Sequence, residues 1–232
     1  MNTQTHVLLA AAIVGGIAHR LGSADTREAL SSAESSKQGY IYIAIVVGAL
    51  LPDLSLFIMF GYAMLTGVPS SVIWSEMYYA DFWQWLGALS NSIPVYLTLS
   101  ILSAAYLRSS ISKQKASAEL HSSGFHGRLQ KIGYIVLTLS LAALAHCLTD
   151  LPLHHDDGHP HFWPISNWIY ASPVSYWDVR HHALIWVPIE CVAGLLLVTV
   201  IWRRKPALWI KGLLALAATS YAALAVFFFT SH

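Results

Sequence analysis

Histidine and aspartate are concentrated in one short stretch of this chain. The string HCLTDLPLHHDDGHPH, residues 146–161, holds five histidines and three aspartates in sixteen residues. Imidazole and carboxylate are side chains that bind divalent cations such as zinc. Because the stretch follows a long apolar segment, its ionisable groups lie in or beside hydrocarbon, where such groups are costly and mark functional sites. The pattern therefore predicts a metal site.

The spacing within this stretch separates a helical part from a loop. His146 and Asp150 are four residues apart, so a helix places them on one face as two ligands of one ion, or as a buried hydrogen-bonded pair. Pro152 should end that helix and deliver the remaining groups into an outer loop. There we predict two further ligands, His154 and His159, with solvated loop side chains as the alternative. The predicted outer rim consists of His155, Asp156, His161, Asp178, His181 and His182.

The rest of the chain reads as an integral membrane protein. It has 232 residues, of which 56% are hydrophobic and 11% charged, against about 25% charged in soluble domains. A membrane span needs about 20 apolar residues. Six segments approach or meet that length, and they predict an all-α helical bundle in one domain, residues 1–232. The predicted spans are residues 5–21, 40–65, 82–107, 132–153, 183–202 and 207–230.

The basic residues predict the orientation of this bundle. Twelve of the thirteen lie in or beside the connections after the first, third and fifth spans, and Arg180 alone lies on the other side. The positive-inside rule places the twelve in the cytoplasm. Both termini and the histidine-rich loop should then be external, on the periplasmic face of a bacterial inner membrane. The basic residues thus indicate topology, and no nucleic-acid partner is expected.

Polar residues of other spans lie near the same outer end. His6 opens the first span, Asp53 interrupts the second in GALLPDLS, and Glu190 follows Pro188 in the fifth. A carboxylate such as Asp53 must be paired, protonated or metal-bound at that depth. Glu190 is a candidate general base, a group that orients a ligand, or a paired acid. Ser90, Asn91 and Ser92 are expected to bond across helices.

Short motifs carry a resemblance to a known family. His6, the string LLPDLS around Asp53, and AHCLTD followed by FWP resemble inner-membrane metal-dependent hydrolases, a group sometimes described as LexA-binding. The resemblance implies a helical membrane bundle with hydrolytic activity and a bound divalent metal, for which zinc is the first candidate. It places His6, Asp53, His146 and Asp150 at the family's polar positions. The family's His-Arg-x-x-Thr-His string is missing, because residues 90–92 stand in its place, and the nearer likeness is to a subgroup that lacks it.

Hydrolysis at such a site would use a zinc-acidified water, with Asp157 or Glu190 accepting a proton as the catalytic base. The outer-leaflet position favours an ester or phosphoester of a lipid or lipid-linked substrate, so membrane lipid is the predicted partner. A non-catalytic metal-binding or assembly protein would use the same ligands with every coordination position filled. A transporter would need a polar path through both leaflets, and the inner half of the spans offers little besides His19.

Overall fold

The computed structural model describes residues 1–21, 34–116, 124–204 and 208–231. Within these ranges the chain is helical and contains no β-strand, which confirms the predicted all-α class. Apolar runs and the need to satisfy every backbone group inside hydrocarbon both favour helices. The main helices are α1 (Thr3–Leu21), α2 (Glu34–Leu50), α3 (Leu54–Thr66), α4 (Asp81–Ser90), α5 (Ile93–Ala116), α6 (Gly124–Asp150), α7 (Ala183–Arg203) and α8 (Leu208–Ser231).

Several helices have the length and apolarity of membrane spans. Four segments of the described chain qualify alone, and α2 with α3 makes a fifth if this bent pair is one span. The apolar part of α1, Thr3–Val14, is shorter. The count of six spans and the external termini therefore stay predictions. Arg27 and Lys205, two of the residues used for orientation, lie outside the described ranges.

Two of the predicted spans are interrupted, one between α2 and α3 and the other between α4 and α5, and the two interruptions are in contact. The axes of α2 and α3 differ by 68° across residues 51–53, where Pro52 has no N–H to continue the helix. The carbonyl oxygen of Pro52 accepts hydrogen bonds from Ser90 Oγ (2.9 Å) and Asn91 Nδ2 (3.0 Å) at the break between α4 and α5. The expected bonding across helices is confirmed for Ser90 and Asn91, whereas Ser92 Oγ donates to the carbonyl oxygen of Trp163 in the outer loop.

Helix α6 lies at the centre of the bundle and contacts α1, α2 and α5, while α1 also packs on α7. The approach of α2 to α6 is close because Gly48 has no side chain. A Cβ at that position would overlap the carbonyl oxygen of Leu139. The main apolar core is formed by α1, α2, α6, α7 and α8, with Ile45, Ala142 and Tyr221 among its fully buried members.

The segment after α6 is irregular and folds back over one end of the bundle. As predicted, α6 ends before Pro152, which lies in a short helical turn, Leu151–Leu153. Backbone hydrogen bonds then fix the segment to itself and to α5: Ser172 N donates to His154 O, and Ile93 N donates to His161 O, both at 2.9 Å. These bonds hold the histidine-rich loop against the broken helices.

Candidate metal centre

Four of the predicted ligands meet at this end of the bundle. His6 comes from the first turns of α1, Asp53 from the break before α3, and His146 and Asp150 from the last turns of α6. His6 Nε2 lies 3.2 Å from Asp150 Oδ1, and His146 Nε2 lies 3.6 Å from Asp53 Oδ1. The two imidazole rings stack at 3.6 Å. Ligand atoms of His6, His146 and Asp150 all lie within 4.8 Å of one another.

The outer nitrogen of each imidazole is fixed by an oxygen acceptor. His146 Nδ1 lies 2.7 Å from the carbonyl oxygen of Ala49, which can only accept, so Nδ1 carries a hydrogen. His6 Nδ1 lies 3.1 Å from Thr149 Oγ, whose own hydrogen is directed to Ala145 O at 2.9 Å. His6 Nδ1 is therefore also a donor. Such contacts orient metal-binding histidines.

This arrangement turns two nitrogen lone pairs towards two carboxylates. A neutral imidazole with hydrogen on Nδ1 presents a lone pair at Nε2. His146 Nε2 is buried and has no hydrogen-bond partner among the described residues. His6 Nε2 faces a carboxylate oxygen, which is also an acceptor. Groups of this kind repel one another unless a cation or added protons lie between them, so the buried His-His-Asp group could hold a metal ion.

Both carboxylates have further partners. Thr3 Oγ donates to Asp53 Oδ2 at 2.5 Å. Asp150 receives the amino group of Met1 at Oδ1 and His154 Nε2 at Oδ2, each at 3.0 Å. The start of α1 thus supplies one imidazole and also hydrogen bonds that orient the carboxylates of the other two segments.

The predicted ligand His154 is held between two acids. Its Nε2 contacts Asp150, and its Nδ1 lies 3.0 Å from Asp157 Oδ1. Burial lowers the pKa of His154, but the attraction and hydrogen bonds of the two carboxylates outweigh it and raise that pKa to about 9. Burial also works against ionisation of Asp157, yet the bond from His154 holds its pKa below the usual value. His154 and Asp157 form a charged pair beside the centre.

His159 and His161 are buried a little further along the loop. His159 packs against α4 at Gly87, where a Cβ would lie 3.0 Å from its Nδ1. Burial, followed by repulsion from His154 and His161, lowers the pKa of His159 to about 3, so the ring is neutral. His161 Nδ1 bonds to His159 O at 2.8 Å. His159 Nδ1 and His161 Nε2 have no partner among the described residues. His159 as a ligand stays a prediction.

Glu190 lies on the other side of α1, where it fixes the start of that helix. Its Oε1 accepts from the backbone N–H of Asn2 and from Thr5 Oγ, both at 2.6 Å. Tyr221 Oη of α8 lies 2.5 Å from the same Thr5 hydroxyl. Its role as a base stays a prediction, and its contacts are those of a group that positions α1.

The remaining rim residues form a separate cluster nearer the surface. Asp178 is bound by Arg180 and by His181 Nδ1, the latter at 3.1 Å. The ring of His181 stacks on His155 at 3.6 Å. Asp156 and His182 are exposed. Apart from His161, which is buried, the predicted rim residues are thus surface or half-buried groups.

A cavity of about 120 Å³ adjoins the centre. Asp53, Asp150, His154 and His159 line it together with Leu56, Phe57 and Tyr176, and residues 1–3 complete it. Neither Asp157 nor Glu190 lines the cavity. Several of the side chains that line the cavity can exchange protons. Among them, His154 is the one whose ring is oriented by Asp157.

Sequence reasoning missed the residues that orient the ligands. Thr149 lies three residues after His146, so the helical spacing places both on the same face of α6. That spacing was a usable signal that Thr149 lies beside the site. Thr3 was detectable only by its nearness to His6. The carbonyl oxygen of Ala49 left no signal, because any residue carries a carbonyl.

Comparisons with known proteins identify the family. A model of the YdjM inner membrane protein family matches residues 1–230. Searches among curated proteins and among solved structures found no similar protein. The family match and the several apolar helices support a multi-pass inner-membrane protein. Since the match extends over nearly the whole sequence, this chain belongs to the YdjM inner membrane protein family.

Proposed function

We propose that this protein is a metal-dependent membrane hydrolase whose centre is formed by His6, Asp53, His146 and Asp150. The observation that carries the proposal is the meeting of two oriented imidazole lone pairs with two carboxylates in a buried place. The Met1 amino group and His154 offset the charge of Asp150, but the lone pair of His146 Nε2 has no donor and lies beside the carboxylate of Asp53. A divalent cation would bind both of these acceptors.

Zinc fits this donor set best. Two imidazole nitrogens and two carboxylate oxygens are common zinc ligands, with bonds near 2.0–2.2 Å. A tetrahedron with such bonds has edges of about 3.4 Å. His6 Nε2 lies 3.2 Å from Asp150 Oδ1, close to that edge. Ligand atoms of His6, His146 and Asp150 lie within 4.8 Å of one another, so these three residues can hold the ion with the fourth position left for water, while Asp53 approaches His146 at 3.6 Å. Manganese or iron would accept the same donors.

The neighbouring cavity supports catalysis over a purely structural metal site. It reaches Asp53 and Asp150 and leaves room for water and a small reacting group on one side of the centre. A bound divalent cation would supply an acidified water and polarise an ester or phosphoester. His154 is placed to exchange a proton with the reacting group, and Asp157 holds its ring in position.

The substrate that we propose is a lipid or a lipid-linked ester or phosphoester. Phe57 lines the cavity and is 52% exposed. Its neighbours on α3, Leu54 and Ile58, are exposed as well. An apolar side chain in the wall of a polar cavity, on a helix with further exposed apolar side chains, favours a substrate with a polar headgroup and an apolar tail.

Metal analysis of the purified protein, with matched variants, tests the centre. We expect about one equivalent of divalent metal in the natural chain and its loss in His146→Ala and in Asp53→Asn. The controls are His182→Asn and Asp81→Asn, which change exposed residues of the same types. His182 has a backbone φ of 69°, a region that Asn tolerates.

Equal metal content in all variants, or none in the natural chain, would contradict the metal centre. Hydrolysis is tested separately, with metal-loaded protein in detergent and with phospholipid and lipid-linked phosphate substrates. We expect release of product by the natural chain and not by His146→Ala. Full metal content with no hydrolysis of any of these substrates would favour the non-catalytic metal-binding protein.

A further inference from the structure

The cavity beside the proposed centre contains two polar groups to which no described residue is bonded. Tyr176 lines the cavity, and its hydroxyl makes no hydrogen bond among the described residues. His159 lines the same cavity, is 4% exposed, and makes no hydrogen bond through its ring in this part of the chain. A buried polar group in a protein is almost always hydrogen-bonded, so the unpaired ring of His159 indicates that the cavity binds a ligand.

Both groups are donors, and they lie beside a charged one. Burial, followed by repulsion from Asp150 and Asp157, raises the pKa of Tyr176, so its hydroxyl keeps its hydrogen. The neutral ring of His159 carries one hydrogen, which has no acceptor among the described residues. The ring centroid of His154 lies 5.2 Å from that of Tyr176 and 6.3 Å from that of His159. This part of the cavity therefore suits a ligand with several acceptor oxygens.

The size of the cavity limits the ligand to a small end group. Its volume is about 120 Å³, and an apolar cavity of about 150 Å³ holds one benzene molecule. By that measure about five non-hydrogen atoms fit, which is the size of a phosphate group. Asp150, His154 and His159 form the polar end of the wall, and all three are buried. A headgroup that continued beyond the phosphate would have no room there.

We propose that the substrate is a lipid ending in a phosphomonoester, and that Tyr176 and His159 bind the nonbridging oxygens of its phosphate. This inference rests on the proposed hydrolase and narrows its substrate. Leu56 and Phe57 line the cavity, and the exposed side chain of Phe57 belongs to the apolar face of α3. The lipid chain lies along that face with the phosphate inside. Donors directed at these oxygens stabilise the charge of the transferring phosphoryl group.

The reaction yields inorganic phosphate and a lipid alcohol. The oxygen of a water molecule forms a bond to phosphorus, and the bond between phosphorus and the lipid oxygen breaks. The lipid oxygen leaves with the electron pair and takes a proton from His154, which lines the cavity. His154 recovers a proton from the attacking water, so no further reactant is needed.

Phosphate binding and hydrolysis by Tyr176→Phe test the role of the hydroxyl, because phenylalanine keeps the ring. With metal-loaded protein in detergent, we expect the affinity for inorganic phosphate to fall about tenfold, measured by isothermal titration calorimetry, while metal content is unchanged. Release of phosphate from phosphatidic acid should fall at least as much. The control is Tyr170→Phe, since Tyr170 packs on Trp168 in the same outer segment and does not line the cavity. Equal phosphate affinity in Tyr176→Phe and the natural chain would overturn this role.

His159→Ala tests the second donor. We expect weaker phosphate binding with the metal retained. Loss of metal in this variant would assign His159 to the ion, as the sequence predicted, and would overturn its place in the phosphate site.

A comparison of substrates separates this inference from the proposed function. We expect the metal-loaded natural chain to release phosphate from phosphatidic acid and to leave phosphatidylglycerol and triacylglycerol intact. Cleavage of either of the latter in place of phosphatidic acid would keep the hydrolase and overturn the terminal phosphate. Binding of inorganic phosphate without cleavage of phosphatidic acid would overturn the lipid as its source. Cleavage of none of the three, with no binding of inorganic phosphate, would contradict the hydrolase itself.

Discussion

At the scale of single residues, each histidine of the proposed centre is oriented by a hydrogen bond at Nδ1, the ring nitrogen that does not face the carboxylates. His146 is held by a backbone carbonyl of α2, and His6 by the hydroxyl of Thr149. Thr149 is itself fixed by the carbonyl oxygen of Ala145 on the previous turn. Because the hydrogen bond at Nδ1 prevents each ring from rotating freely, the lone pair on Nε2 stays directed at the carboxylates. Metal affinity should therefore depend on side chains that never touch the metal.

Thr149→Val tests this dependence. Valine keeps the shape of threonine but cannot accept the hydrogen of His6 Nδ1, so the ring loses its orientation and gains a buried unpaired donor. We expect zinc affinity to fall about 10- to 100-fold, as measured by competition with a chelating dye. Thr98→Val is the matched control, because Thr98 also bonds to the carbonyl four residues earlier but is exposed and distant from the site in sequence. An equal loss of affinity in both variants would contradict the orienting role.

At the scale of elements, the centre depends on the close crossing of α2 and α6. Gly48 lets the two backbones touch at Leu139, and the next residue, Ala49, supplies the carbonyl that binds His146. Three residues further on, Pro52 ends α2 and places Asp53 opposite the same histidine. The helix crossing thus positions the acceptor of His146 Nδ1, and the helix break positions the carboxylate that faces His146 Nε2.

Gly48→Ala should separate these two helices. The added methyl group meets backbone, which cannot move aside as a side chain can, and overpacking of this kind costs about 1–3 kcal/mol. We expect a lower melting temperature in detergent together with weaker zinc binding. Gly61→Ala is the control, because a Cβ there meets nothing within 4 Å and alanine favours the helix. Normal metal binding by Gly48→Ala would show that the helix crossing does not control the site.

Sequence patterns predicted the helices far better than their breaks. The apolar runs gave the ends of α7 and α8 to within a residue or two, and Pro152 marked the end of α6. Asp53 and His146 were recognisable as candidate ligands because ionisable groups are rare in apolar segments. The 68° bend was not predictable, because a proline permits a bend but the packing of α4 and α5 sets its angle. The contact of Ser90 and Asn91 with Pro52 depends on that same packing.

At the scale of the whole molecule, α1 is held in place from two sides. One face of α1 places Thr3 and His6 in the candidate metal centre, while Thr5 bonds to Glu190 of α7 and to Tyr221 of α8. Arg204, beyond the far end of α7, donates to the carbonyl oxygens of Ala11 and Ala12. Helices that supply no ligand thereby determine where His6 lies.

Glu190→Ala should release the start of α1. It removes the acceptor of the Asn2 amide and the Thr5 hydroxyl, and a buried donor left unpaired costs about 1–3 kcal/mol. We expect a lower melting temperature and reduced metal content, both measured against Glu76→Ala, which changes an exposed glutamate. If Glu190 also acts as the catalytic base, the variant would lose hydrolysis even in the molecules that are loaded with metal, so activity is measured per bound metal. The two roles are therefore distinguished by one protein.

The separation of the ligands along the chain has a consequence for biogenesis. His6 and Asp150 are 144 positions apart, and Asp53 lies between them, so no partial product of translation contains the complete set until α6 has been made. On the proposed function, a metal ion would be captured tightly only after these segments have entered the bilayer and packed together. Retention of metal at the proposed centre would then report completed insertion, and a chain arrested before the end of α6 should be unable to bind the ion.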